Sequence, residues 1–139
     1  MYKVIIIEDD PMVASINKQY VELTSSFHVE ATFKNGILAL QYLQNCTVDL
    51  IILDYYTPQM NGDEFIDQLH AAGMTPAIIM VTSATDAETV RRLISRGVTD
   101  YLVKPFEYDR FKAALERFAK RQEELKTSTS ASDLGQEIG

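Results

Sequence analysis

The chain has 139 residues, 46% of them apolar, which is enough for one domain with a buried core and excludes wholesale disorder. Thirteen basic and twenty acidic residues give a net charge of -7, so these residues have no general attraction for nucleic acid or anionic lipid. No apolar run approaches the ~20 residues that a membrane span requires. The single cysteine, Cys46, cannot form an internal disulfide, and the N-terminus turns acidic too soon for a signal peptide, so we expect a cytoplasmic protein.

Strand-like and helix-like segments alternate along the first half of the chain. Residues 4–7 are a continuous β-branched run, which is typical of a buried parallel strand. Asp10 and Pro11 then form the signature of a helix start, because the carboxylate can cap the helix and proline suits its first turn. The next predicted elements are a strand at 29–33, a helix capped by Asn35, and a strand at 50–53 that ends on Asp54.

The second half continues the same alternation. Thr85 and Glu88 have capping-box spacing, which predicts the start of a helix that Gly97 would end. The other predicted elements, in order, are a helix at 63–71, a strand at 77–81 that ends at Thr82, a strand at 101–103 broken by Lys104-Pro105, and a last helix that reaches Leu125.

Five strand–helix units in a row predict an α/β fold, with a parallel sheet covered by helices on both faces. From about Thr127 onward, small and polar residues dominate and the helical apolar period stops. We therefore predict one domain over residues 1–126, and a linker or disordered tail over residues 127–139.

Chemically active side chains lie at the predicted strand ends, where open α/β sheets bind their ligands. Glu8 and Asp9 follow the first strand, Asp54 the third, Thr82 the fourth and Lys104 the fifth. Clustered carboxylates repel one another unless a cation joins them, and hard oxygen ligands suit Mg²⁺. A metal, a lysine and a hydroxyl could together neutralise a moving phosphoryl group, with a carboxylate as nucleophile. The sequence has no glycine-rich phosphate loop, so we do not expect a nucleotide donor.

Four segments at these strand ends carry a family resemblance. They are residues 5–11 (IIIEDDP), 53–62 (LDYYTPQMNG), 81–84 (VTSA) and 100–106 (DYLVKPF). In this order and spacing, over roughly residues 1 to 120, the chain resembles the receiver domain of two-component response regulators. The resemblance implies a flavodoxin-like, doubly wound parallel sheet of five strands in the order 2-1-3-4-5. It also implies a phosphoacceptor switch rather than a turnover enzyme.

The resemblance implies a role for each matching residue. Asp54 corresponds to the phosphoacceptor and is also a Mg²⁺ ligand. Asp9 corresponds to a direct metal ligand, Glu8 to a ligand acting through water, and the backbone carbonyl of Tyr56 to the third protein ligand. The switch and phosphoryl-binding positions correspond to Thr82, Lys104 and Tyr101, and the Lys104-Pro105 peptide bond to one that is usually cis.

Residues 54–58 and 100–107 are further similar to the citrate and C4-dicarboxylate (CitB-like) transcriptional regulators. That likeness implies a sensor histidine kinase as partner, and DNA binding only through a C-terminal domain that lies outside these 139 residues. It leaves a homodimer through the fourth helix, fifth strand and fifth helix as an open possibility. One departure is Thr57, which stands where the family more often has methionine and could alter packing near the site.

Two other functional classes compete with the switch. The stretch from Asp54 to Thr57 is similar to the nucleophile loop of haloacid-dehalogenase-like phosphatases, but Tyr56 stands where their second aspartate is required. A flavodoxin-like cofactor binder is the third class, although the acidic rim opposes an anionic flavin phosphate. Tyr101 is equally compatible with a core position and with a switch.

Overall fold

The computed structural model describes residues 1–83 and 86–138, with side chains through residue 127. Five strands alternate with five helices in chain order. They are β1 (Tyr2–Ile7), α1 (Pro11–Leu23), β2 (Phe27–Phe33), α2 (Gly36–Leu43), β3 (Leu50–Asp54), α3 (Gly62–Ala71), β4 (Ala77–Thr82), α4 (Ala87–Ser95), β5 (Asp100–Val103) and α5 (Tyr108–Ile138).

The five strands form one parallel sheet in the order β2-β1-β3-β4-β5, which confirms the predicted doubly wound fold. The continuous apolar runs of β1, β3 and β4 lie at its centre, where both faces are covered. Alternate strand residues point to opposite faces. Ile6 and Ile52 pack with α1 and α5 on one face, whereas Ile5 and Ile51 pack with α2, α3 and α4 on the other.

The helix starts follow from local side-chain caps. Asp10 accepts hydrogen bonds from two amides of α1, and Asn35 accepts one from Leu38, as predicted. The α3 start differs from the prediction by one residue, because Asn61 and Glu64 form a reciprocal capping box that draws Gly62 into the helix.

The start of α4 corrects one prediction. Asp86 is the N-cap of this helix, and its side chain accepts a hydrogen bond from the Thr89 amide at 2.7 Å. The carboxylate is the stronger cap for this turn, so the helix begins at Ala87. The predicted capping residue, Thr85, lies outside the described residues. Gly97 ends the helix region with a φ of 92°, as expected of a glycine there.

The last helix continues past the end of its apolar face. Phe111, Leu115 and Phe118 bury its inner face against the sheet. The backbone stays helical to Ile138, so the change of composition near Thr127 does not end the helix. A linker role for residues 127–139 stays a prediction. Among the described residues, no helix combines the length and apolar character needed to cross a bilayer.

The start of α3 is packed too tightly for any side chain larger than hydrogen. A Cβ on Gly62 would lie 2.8 Å from Tyr55 Cδ2 and 2.9 Å from Met80 Cε, both in buried side chains. Gly62→Ala is therefore expected to destabilise the fold by about 1–3 kcal/mol, as overpacking usually does. Urea unfolding checks this prediction, and unchanged or increased stability would contradict it.

Candidate functional site

The sheet register brings the predicted site residues to one edge. Ile7 pairs with Leu53, so the residues that follow β1 lie beside Asp54 at the end of β3. Asp54 pairs with Val81, which puts Thr82 one residue further along β4. The Lys104 amide donates to the Thr82 carbonyl at 2.9 Å, which extends the pairing of β4 with β5 by one step. Strand pairing alone therefore assembles residues that are far apart in sequence.

Three carboxylates meet at this edge. Glu8, Asp9 and Asp54 each offer an oxygen within 4.8 Å of the others. Glu8 and Asp54 are buried, at 4% and 6% exposure, whereas Asp9 faces solvent. The main chain also contributes, because the Tyr56 amide donates to Asp54 Oδ1 at 3.3 Å and the Asp10 amide to Glu8 Oε2 at 3.2 Å.

Lys104 supplies the positive charge that contacts this cluster. Its Nζ lies 3.0 Å from Glu8 Oε1 and 3.3 Å from Asp54 Oδ2. Burial alone would lower the pKa of Lys104, but the hydrogen bond to Glu8 and the nearby carboxylate charges outweigh it and raise the pKa above its usual value. The ammonium group is therefore held in its charged form between two carboxylates.

The pKa of Glu8 reflects the burial and the crowding of negative charge in this cluster. Burial, followed by the hydrogen bond with Asp54, raises the pKa of Glu8 to about 7, against the opposing hydrogen bond from Lys104. The single positive charge of Lys104 cannot neutralise three neighbouring carboxylates. Such a set of hard oxygen donors, one of them open to solvent, fits a divalent cation that keeps some of its waters, as Mg²⁺ does.

The structure locates the remaining predicted residues at or near this edge. Thr82 is fully buried at the end of β4. Tyr101 is half-buried, packs against the core beside α4, and lines a surface cavity with Phe106. The Lys104-Pro105 peptide bond is cis, as predicted. Their roles in a switch stay predictions.

The loop after Asp54 is held by its own polar contacts. Thr57 is 7% exposed, and its hydroxyl donates to the Met60 carbonyl at 2.8 Å. Tyr56 is 57% exposed, and its ring contacts the Tyr55 ring edge-on. At Thr57, where the resemblance leads one to expect methionine, the side chain instead makes a hydrogen bond that closes the loop.

Sequence reasoning missed a second polar cluster beside the site. Arg92 and Arg96, which the sequence pattern does not single out, both contact Asp63 on α3 at 2.9 Å. Tyr55 donates to the same carboxylate at 2.5 Å, and Arg96 also binds Asp67. The four-residue spacing of the arginines was the available signal, because it places them on one face of a helix.

The Asp63 cluster predicts a pH dependence of stability. Burial would raise the pKa of Asp63, but the hydrogen bonds from Tyr55, Arg92 and Arg96 outweigh it and lower that pKa. The stabilisation is therefore complete above the unfolded-state pKa of about 3.9, and it is lost as pH falls through the lower folded-state pKa. Asp63→Asn is expected to cost about 1 kcal/mol or more at pH 7, and the difference should shrink in acid.

Urea unfolding from pH 7 to pH 3 measures this loss. The exposed carboxylate Asp109, replaced by asparagine, is the matched control and should follow the parent protein throughout. An Asp63→Asn deficit that stays constant down to pH 3 would contradict the assignment.

Comparison with known proteins identifies the family to which this edge belongs. Residues 4–116 match the family described as the response regulator receiver domain. The chain belongs to this family. It is a receiver domain of two-component systems rather than a phosphatase or a flavin binder, the two alternatives that the sequence had left open.

Curated relatives of this receiver domain are regulators. A protein named a probable C4-dicarboxylate response regulator, DctR, of Priestia megaterium is 40% identical over 121 residues, which are 87% of this chain and 53% of that protein. The transcriptional regulatory protein MalR of Bacillus subtilis (strain 168) is 34% identical over 132 residues, which are 95% of this chain and 56% of that protein. The chain thus spans about half the length of these relatives.

A solved structure agrees with the fold. The crystal structure of a signal receiver domain from Vibrio parahaemolyticus superposes with a TM-score of 0.82 at 27% identity, covering 91% of this chain and 96% of that one. The names of the curated relatives confirm the predicted likeness to the C4-dicarboxylate regulators.

Proposed function

We propose that this receiver domain accepts a phosphoryl group from a sensor histidine kinase on the carboxylate of Asp54. The observation that carries the proposal is the position of that carboxylate. It is buried, it lies 3.3 Å from a charged lysine, and it is grouped with two further acids at the carboxyl edge of the sheet. Such a group is poorly solvated, and the adjacent ammonium group of Lys104 favours an anionic reactant.

The transfer requires only a phosphohistidine donor and a proton from water. An oxygen of Asp54 attacks the phosphorus of the phosphohistidine, the phosphorus–nitrogen bond breaks with its electron pair left on the imidazole, and that nitrogen takes up a proton from solvent to give neutral histidine. The product is an acyl phosphate. Lys104, which now contacts Glu8 and Asp54, would pair with a phosphoryl oxygen in place of a carboxylate oxygen. Thr82, buried at the end of β4, would donate a hydrogen bond to another phosphoryl oxygen.

Mg²⁺ would be held by Asp9, Asp54 and the Tyr56 carbonyl, with Glu8 acting through water. Bound there, it would neutralise charge on the phosphoryl oxygens. The open side of the site at Asp9 leaves room for the water ligands that Mg²⁺ retains. The role of this chain's residues is to hold the acids together and to orient Asp54 through the Tyr56 amide.

The signal would leave the site through α4, β5 and α5. Movement of Thr82 and Lys104 toward the phosphoryl group would give Tyr101 room to turn inward. A local change of charge would in this way shift the equilibrium between two conformations of the surface.

Because the chain spans about half the length of its transcriptional relatives, we propose that the whole protein controls transcription through a C-terminal domain, with residues 127–139 as the connection. A homodimer through the same surface and a cytoplasmic location complete the proposal.

Intact mass tests the chemistry. The parent protein and Asp54→Asn are incubated with a small acyl phosphate, with and without Mg²⁺, and Asp109→Asn serves as the matched control. We expect a gain of one phosphoryl group that requires Mg²⁺, appears in the parent and in Asp109→Asn, and is absent from Asp54→Asn. Equal labelling of Asp54→Asn would overturn the assignment of the acceptor. No labelling of any protein would overturn the phosphoacceptor function.

A further inference from the structure

Tyr55, the residue directly after the proposed phosphoacceptor, joins three elements of the fold. Its ring is 8% exposed at the end of β3, and its hydroxyl donates to Asp63 Oδ2 on α3 at 2.5 Å. Arg92 on α4 donates through Nη2 to both partners, at 3.1 Å to the Tyr55 hydroxyl and 2.9 Å to Asp63 Oδ2. The phenol therefore connects the loop after Asp54 with α4, a helix that contributes no residue to the proposed phosphoryl site.

The backbone of Tyr55 is as firmly held as its side chain. Its amide donates to the Val81 carbonyl and its carbonyl accepts from the Gly62 amide, both at 2.8 Å. The ring also lies against Gly62, where no Cβ could fit. Tyr55 is therefore bonded at both ends, and its hydroxyl is linked through the residue to the backbone beside Asp54 and Tyr56.

Helix α4 depends on this polar connection. Leu93 is its one buried residue, so little apolar surface holds the helix in place. Arg96, at the helix end, donates to Asp63 Oδ1 at 2.9 Å and to the Asp63 carbonyl at 3.3 Å. A short helix with so few buried apolar contacts is expected to open locally at a low free-energy cost. Its polar contacts therefore have a large share in fixing its position.

We propose that Tyr55 is a positioning residue that couples the phosphoacceptor loop to α4 through Asp63 and Arg92. The inference rests on the proposed function, because it names the path by which the state of Asp54 is communicated to α4. Coupling between two sites is reciprocal. Removing Arg92, which has no hydrogen bond or ion pair with Asp54 in the described structure, must therefore change how the site binds a phosphoryl analogue.

Two readouts test the coupling. The first is the affinity for fluoroberyllate with Mg²⁺, which mimics a bound phosphoryl group. The second is amide hydrogen exchange of the ligand-free protein at residues 55–61 and 86–97. The variants are Tyr55→Phe, which removes only the hydroxyl, Arg92→Ala, and the double variant. Arg91→Ala is the matched control, since Arg91 is an exposed neighbour on α4 without an ion pair among the residues described.

We expect Tyr55→Phe and Arg92→Ala each to weaken analogue binding about fivefold, because the loop is then less preorganised. The double variant should be no weaker than the poorer single variant, since both remove one connection. Arg92→Ala should also raise exchange at residues 55–61, although it lies on a different element. Arg91→Ala should match the parent protein in both measurements.

The contrary results are separable. If Arg92→Ala raises exchange only within α4 and leaves both residues 55–61 and analogue affinity unchanged, the cluster is a static tether and the coupling is refuted. If the parent protein fails to bind the analogue, the proposed function fails instead. The exchange at residues 55–61 then still decides whether α4 positions the loop.

Discussion

Lys104→Met is expected to slow the phosphorylation of Asp54 by a small acyl phosphate by about a hundredfold, with Mg²⁺ present. Methionine keeps much of the length of the lysine side chain but removes its charge. In the structure that charge lies 3.0 Å from Glu8 and 3.3 Å from Asp54. A phosphoryl group arriving on Asp54 brings further negative charge to the same place. Removing the lysine charge should therefore raise the energy of the transition state more than that of the bound donor.

The measurement is the rate of phosphorylation followed by intact mass at several donor concentrations. Lys112→Met is the matched control, because Lys112 is an exposed lysine on α5 whose pair with Glu116 at 3.6 Å belongs to a solvated helix face. It should react at the parent rate. A Lys104→Met rate within twofold of the parent, in a protein that unfolds with parental cooperativity, would exclude Lys104 from the transfer.

The strand-end residues could be placed from the sequence because their positions depend on backbone pairing. Continuous apolar runs locate β1, β3 and β4, and a parallel register then fixes which residues follow each strand at the shared edge. Asp54 and Lys104 come together in this way although 50 residues separate them. No knowledge of side-chain conformation is needed for this step.

The Asp63 cluster could not be placed in the same way. Its contacts join Tyr55 and Arg92 across 37 positions, through long side chains whose reach depends on how α3 and α4 pack. An arginine on a short amphipathic helix is usually a solvated residue, and Arg92 is indeed exposed, so the local pattern does not reveal its contact with Asp63. The start of α4 was missed for a related reason, since threonine and aspartate are both good caps and the sequence does not decide between neighbouring capping residues. In the structure Asp86 is the cap.

Saturating Mg²⁺ is expected to stabilise the parent protein strongly and Asp54→Asn only weakly. At a concentration of one hundred times its dissociation constant, a ligand specific for the folded state adds about 2.7 kcal/mol to the free energy of unfolding. The oxygens of Glu8, Asp9 and Asp54 lie within 4.8 Å of one another, and the bound cation would replace their repulsion with attraction. Asparagine at position 54 removes one of the three charges and weakens the site.

The same substitution is expected to have the opposite effect without metal. Two buried carboxylates, Glu8 and Asp54, share the single ammonium group of Lys104. Replacing one of them by a neutral amide of the same shape should therefore raise the stability of the metal-free protein by about 1 kcal/mol or more. Repulsion between the carboxylates should therefore lower the stability of the protein when no cation is bound.

Urea unfolding in a chelator and in excess Mg²⁺ measures both effects on the same proteins. Asp109→Asn is the control, since it removes one exposed acidic group that is not a member of the carboxylate cluster and should follow the parent protein in both buffers. If Asp54→Asn is less stable than the parent in the chelator, Asp54 is a structural partner of Lys104 rather than a member of a repulsive cluster. If Mg²⁺ stabilises Asp54→Asn as much as the parent, the cation binds elsewhere and the proposed metal site is wrong.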